Sequence, residues 1–172
     1  AETSKANAML AGLGRTRRVL LGDTLLDGFT PDEIEVVLAH EIGHHVYRHI
    51  PKLLVIGLGF SLASFFLCDR LLGWWLGPGF AYDQVPVHAL PLLLLAATVL
   101  SLVTSPLSNA ISRHFERQCD RYALQCTGLY RPYVSAFTKL SRMNKADPQP
   151  PWLEVFLFHD HPPIAERLSL AE

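Results

Sequence analysis

Charged residues are few and evenly balanced. Fifteen Lys plus Arg against 16 Asp plus Glu, in 172 residues, give a net charge of −1. No global field therefore favours nucleic acid or an anionic lipid surface. Cysteine is also scarce. Cys68, Cys119 and Cys126 form an odd set without paired metal spacing. That excludes a disulfide framework and leaves reduced, structural thiols as the expectation. No signal-peptide pattern, low-complexity run or internal repeat stands out. The length suits one domain, residues 1–172.

The shortage of charge is sharpest in two stretches. Leu53 to Leu67 carries none, and apolar character resumes after Asp69-Arg70 as Leu71-Leu72-Gly73-Trp74-Trp75-Leu76. Val87 to Val103 is also uncharged and continues weakly to Ile111. The composition is 49% hydrophobic, and the mean hydropathy is +0.20. Each stretch supplies about 20 residues, enough to cross roughly 30 Å of hydrocarbon. Asp69-Arg70 argues for a buried soluble helix in the first block, while the missing amphipathic period argues for membrane. The expectation is a two-helix membrane hairpin over 53–76 and 87–111, joined through Gly77-Pro78-Gly79 and Tyr82, with the tryptophans at an interface.

His40-Glu41-Ile42-Gly43-His44 is the main chemical motif. On a helix, residues four apart share a face, so His40 and His44 can point two imidazoles at one ion. Glu41, about 100° around the helix, reaches a water on that ion without binding it. The division of labour fits metal-assisted peptide hydrolysis, in which zinc acidifies water and a carboxylate takes the proton. The helix is well specified. Thr30-Pro31-Asp32-Glu33 combines an N-cap, a first-turn proline and a capping-box glutamate. Ile34, Val37, Leu38 and Ile42 follow at core spacing. Gly43, without a side chain, would let another element pass close by. His45 and His49 repeat the four-residue spacing, but Val46 stands where a base would be needed. They read as interfacial or solvated.

Two further segments bear on the site. Residues 113–123 read as a second helix ending at Gly128, with Glu116 and Asp120 on one face. Glu116 would complete a His-His-Glu set and leave a fourth position for water. Asp120 would accept a hydrogen bond from a ligand imidazole and fix its tautomer. The plainer reading is a solvated face in which Arg113, Arg117 and Arg121 pair with both acids. His161, before Pro162-Pro163, sits on an extended segment and could hold an oxyanion donor near the scissile carbonyl.

Together these motifs resemble the integral-membrane zinc metallopeptidases of the CAAX prenyl endopeptidase and HtpX type. The resemblance also takes in Asn7-Ala8, Gly12 to Val19, Gly22 to Leu26, Glu116-x-x-x-Asp120, and His161-Pro162-Pro163 with Arg167 as structural support. It implies one zinc per chain on His40, His44 and Glu116, with Glu41 as general base. It implies an outer-sphere role for Asp120 and transition-state stabilisation by His161. It also implies that the strand from Asn7-Ala8 is the edge on which a peptide or protein substrate adds as a strand, a mode supported by main-chain hydrogen bonding. The family carries further membrane helices before that strand, so the sequence is expected to be part of a longer protein.

The fold expectation is α+β, mainly helical. It combines a zincin-like domain, a short β-hairpin from the Asn7 segment and Thr16 to Leu21, and the membrane hairpin inserted between the two ligand helices. Pro132 to Lys145 reads as an amphipathic helix. Arg48, Lys52, Arg113, Arg117 and Arg121 flank the spans, whereas only Asp69, Arg70 and Asp83 lie between them. The chain is therefore expected in the membrane, in contact with lipid, with its catalytic side cytoplasmic. Substrate class stays open between a prenylated CAAX end and membrane proteins under quality control. Oligomeric state is not readable. The alternative is a non-catalytic membrane scaffold with a structural metal.

Overall fold

The computed structural model describes residues 8–11, 16, 18–77, 81 and 85–172. The architecture is α+β and mainly helical. A two-stranded antiparallel sheet pairs β1 (Ala8–Ala11) with β2 (Arg18–Leu21), Ala8 opposite Leu21 and Ala11 opposite Arg18. Seven α-helices follow among the described residues: α1 (Asp23–Gly28), α2 (Pro31–Val46), α3 (His49–Leu76), α4 (Ala89–Thr127), α5 (Tyr130–Met143), α6 (Trp152–Phe158) and α7 (Ile164–Leu168). The chain divides into two compact units, Ala1–His49 with Asn109–Glu172, and Ile50–Ser108.

The first unit is built around α2. Both halves of its capping box are present: Glu33 N–H donates to Thr30 Oγ1, and Thr30 N–H donates to Glu33 Oε2 at 2.8 Å. Glu33 has a second task. It is buried and accepts from Ser135 Oγ and Lys139 Nζ, each at 2.6 Å, which ties the start of α2 to α5. One core cluster joins Val36 and Ala39 to Ala123, Leu124, Tyr133 and Phe137. A second joins Val37 to Leu25, Phe29 and Ala136. The buried face of α2 is thus Val36, Val37, Ala39, His40 and Gly43, rotated from the apolar stripe expected from sequence. Ile42 is 39% exposed. The stripe shifts because the face carrying the histidines packs toward α4 and α5, so polar site residues take the buried positions.

In the second unit the apolar residues point outward. Leu54, Val55, Leu58, Leu62, Phe65 and Phe66 on α3 are all 60% or more exposed. On α4, Leu94, Leu95, Leu102 and Val103 are equally bare. Both helices are long and apolar enough to cross a membrane, with mean hydropathies of 1.9 and 2.0 over their most apolar stretches. Gly77 ends α3 at φ +84, where lack of a Cβ removes the strain. Pro78, Gly79 and Tyr82, expected to form the connection, lie outside the described residues, as does Asp83. The apolar stretch before Ile111 and the acidic pair after it are one unbroken helix, α4, which ends at Gly128 with φ +66.

Candidate metal centre

His40 and His44 sit one turn apart in α2, and Glu116 faces them from α4. His40 Nε2 lies 3.3 Å from Glu116 Oε2, and His44 Nε2 lies 3.1 Å from Glu116 Oε1. One ligand atom from each residue falls within 4.8 Å of the others. The close approach depends on Gly43: a Cβ built there would stand 3.2 Å from both Cys119 Cα and Cys119 Sγ on α4.

The proton inventory shows what this arrangement calls for. Asp120 Oδ1 is 2.9 Å from His40 Nδ1, so His40 donates through Nδ1–H and a neutral ring keeps its lone pair on Nε2. That lone pair then faces a carboxylate oxygen, which is also an acceptor. Two acceptors at this distance need either a second ring proton or a metal ion between them. The N···O distances of 3.3 and 3.1 Å, one to each Glu116 oxygen, leave the three side chains close enough to share one ion. The donor set of two imidazoles and one carboxylate fits a divalent ion of the zinc kind, and the group contains no fourth protein ligand among the described residues.

Charge around the site is arranged around Arg167. It donates through Nε to Asp120 Oδ2 at 2.9 Å and through Nη2 to Asp120 Oδ1. Its guanidinium lies 4.0 Å from the centre of the Phe137 ring. Burial would raise the Asp120 pKa, but the His40 bond and the Arg167 charge hold it below its ordinary value. Burial likewise works to raise Glu116, yet bonds from His40 and His44 hold it far below the carboxylate range. For His40, burial lowers the pKa, and its bonds to Asp120 and Glu116 more than reverse that. Glu41 goes the other way. Burial lifts its pKa above the ordinary value, against the pull of His40 and His44.

A cavity of about 680 Å³ opens onto this cluster, with His40, Glu41, Glu116, His161 and Arg167 in its wall. His161 is exposed, with Nε2 3.7 Å from Glu116 Oε2 and Nδ1 2.8 Å from Asp160 Oδ1. Its segment is anchored by Arg113, which donates to the carbonyls of Val155 and His159 and so caps the end of α6. Arg113 and Arg117 therefore do not pair with Glu116 and Asp120 as the plainer sequence reading had it; Arg117 pairs with Glu166. Ala8 opens β1, which pairs with β2 and lies near α2. Asn7 lies outside the described residues.

His49 corrects the sequence reading. It is 1% exposed, where the sequence reading had it interfacial or solvated. Its Nδ1 lies 3.2 Å from His44 Nδ1, and its Nε2 lies 3.0 Å from Gln118 Oε1. Helical extrapolation from His45 failed because the chain turns at Arg48, whose φ is +55, before α3 begins. Pro51, in the first turn of α3, was the available signal, since proline is tolerated there. Cys119 Sγ, 3.6 Å from His49 Nδ1, completes a second group with His44 and His49.

The family model of peptidase family M48 matches residues 1–172. Over 175 residues the chain is 34% identical to the uncharacterised metalloprotease YhfN of Bacillus subtilis, covering 99% of this chain and 41% of that protein. It is 34% identical over 189 residues to CAAX prenyl protease 1 of Saccharomyces cerevisiae, covering 97% and 41%. The human CAAX prenyl protease 1 homolog is 29% identical over 210 residues, covering 97% and 44%. The crystal structure of S. mikatae Ste24p is similar with a TM-score of 0.81 at 27% identity, over 98% of this chain and 42% of that one. The chain spans about two fifths of the length of these relatives.

Proposed function

The chain belongs to peptidase family M48, and from that membership we propose that it is the catalytic part of a zinc-dependent membrane endopeptidase. The observation that carries the proposal is the pair of imidazole nitrogens set 3.3 and 3.1 Å from the two oxygens of Glu116. His40, His44 and Glu116 would hold the ion. Bound there, zinc would lower the pKa of water and polarise a carbonyl.

The remaining chemistry falls to the chain's own groups. Glu41, in the cavity wall beside His40, takes the water proton on its carboxylate and passes it to the leaving amine. His161 donates a hydrogen bond to the oxygen on which negative charge develops. Asp120 holds His40 in the Nδ1–H tautomer, and Arg167 holds Asp120. The substrate lies extended along β1, where Ala8 offers backbone groups.

The second unit supports the membrane reading. Its exposed leucines and phenylalanines would be costly in water and are at ease in lipid. We read 53–76 and 87–111 as a membrane hairpin, with the catalytic side cytoplasmic on the basic bias of its flanks. The likeness to CAAX prenyl protease 1 of yeast and its human homolog favours a prenylated CAAX substrate over membrane-protein quality control. A structural-metal scaffold would need a closed set of four ligands, and the group around Glu116 has three among the described residues.

The test compares the chain in detergent with its Glu41→Gln variant. Zinc is measured by elemental analysis, and cleavage is followed on casein and on a farnesylated CAAX peptide. The expected result is about one zinc in both proteins, with turnover in the wild type alone. Equal turnover in both would remove Glu41 from its role.

A further inference from the structure

We propose that His49 is a positioning residue that fixes the tautomer of His44, so that the two proposed zinc-binding imidazoles are set by two chemically different devices. The inference rests on the zinc reading of the His40, His44 and Glu116 group.

The argument starts at Gln118. Its Oε1 is a carbonyl oxygen and can only accept, so His49 must donate to it through Nε2–H over 3.0 Å. A neutral His49 then carries its lone pair on Nδ1. His44 Nδ1 lies 3.2 Å from that nitrogen, nearer than the Cys119 sulfur at 3.6 Å, and donates into it. The His44 lone pair is thereby left on Nε2, the atom 3.1 Å from Glu116 Oε1. Reversing the Gln118–His49 bond would place a proton on His49 Nδ1 and take away the acceptor that His44 uses.

The ring that does this is held firmly. His49 is 1% exposed and stacks on Phe115, with ring centres 4.1 Å apart and planes within 7°. Tyr47 also lies parallel to it, at 5.7 Å and 20°. Gln118 is two residues after Glu116 on α4, so one helix carries both the proposed carboxylate ligand and the group that orients His44.

The two devices differ in charge. His40 donates to a carboxylate, whose charge Arg167 offsets. His44 donates to a neutral imidazole that ends on a neutral amide. Both lone pairs are aimed, yet only one negative charge, that of Glu116, is added directly at the ion.

The same three groups, His44, His49 and Cys119, could instead hold a second ion. That reading needs His44 Nδ1 and the Cys119 sulfur stripped of their protons.

The test uses the full chain in detergent micelles, with zinc affinity read by competition against a chelator. His49→Phe keeps the stacking on Phe115 and removes the acceptor. His49→Asn places a carbonyl oxygen where Nδ1 stood and gives up the stacking. Loss of an outer-sphere partner weakens metal binding roughly 10- to 100-fold. The expected order is wild type close to His49→Asn, with His49→Phe weaker by that factor. A purely structural role predicts the opposite order of the two variants. Nitrogen-15 spectra of the zinc-loaded wild type give a second reading that no variant can spoil by misfolding. They should show His44 protonated at Nδ1 and His49 at Nε2. His49 protonated at Nδ1 would overturn the inference, as would a second equivalent of zinc that disappears in Cys119→Ser. A wild-type chain that takes up no zinc overturns the metal reading itself, and this inference with it. A wild type that binds zinc no better than His49→Phe overturns the inference alone.

Discussion

Gly43 on α2 lies so near Cys119 on α4 that a Cβ at position 43 would stand 3.2 Å from the Cys119 Cα. This is backbone against backbone, and α4 cannot yield by turning a side chain. The contact brings His40 and His44 within reach of Glu116. Gly43→Ala is expected to push the helices apart by a few tenths of an ångström and to cost about 1–3 kcal/mol through overpacking. Zinc affinity should fall with it. Unfolding by denaturant and chelator competition check both effects.

Arg167 and Asp120 form a buried pair, 10% and 0% exposed at the side chain. Arg167→Leu leaves the carboxylate buried without its cation and should cost about 3–5 kcal/mol. Adding Asp120→Leu removes the orphaned charge, so most of that stability should return. Zinc affinity should not return, because His40 Nδ1 then has no acceptor. A double-mutant cycle in stability, run beside a zinc titration, separates the two roles.

Much of this was legible in the sequence. Thr30, Pro31 and Glu33 announced the start of α2, because capping is local chemistry. The spacing of His40 and His44, and of Glu116 and Asp120, placed each pair on one face, because helical period is local too. What was not legible depends on contacts between distant segments. Nothing near Asp120 indicates that its arginine comes from position 167 rather than from 117 or 121. Nothing near Arg113 indicates that its partners are the carbonyls of Val155 and His159. His49 was misread because a single residue, Arg48, breaks the helical register with a positive φ that no glycine announces.

Glu33 gives a prediction in pH. Burial would raise its pKa, but bonds from Lys139, Ser135 and the Thr30 N–H hold it below the ordinary 4.5. A depressed folded-state value means that the ionised form stabilises the fold. That contribution is complete above the unfolded value and is lost as the pH falls through the lower folded one. Stability should therefore drop as the pH goes below 4.5. Glu33→Gln should be less stable at neutral pH and show a flatter acid limb. Denaturant midpoints measured across that range check it. An acid limb of unchanged slope in the variant would assign the loss to other carboxylates.

The account as a whole turns on which atoms surround the metal. X-ray absorption at the zinc edge of the loaded chain reads them directly. The prediction is two imidazole nitrogens at about 2.0–2.1 Å, carboxylate oxygen at about 2.0–2.2 Å, and one further light atom from water. The Glu116→Ala variant should lose the ion or change that shell. A sulfur neighbour at about 2.3 Å would place the ion on Cys119 with His44 and His49, and would contradict the assignment of His40, His44 and Glu116 as its ligands.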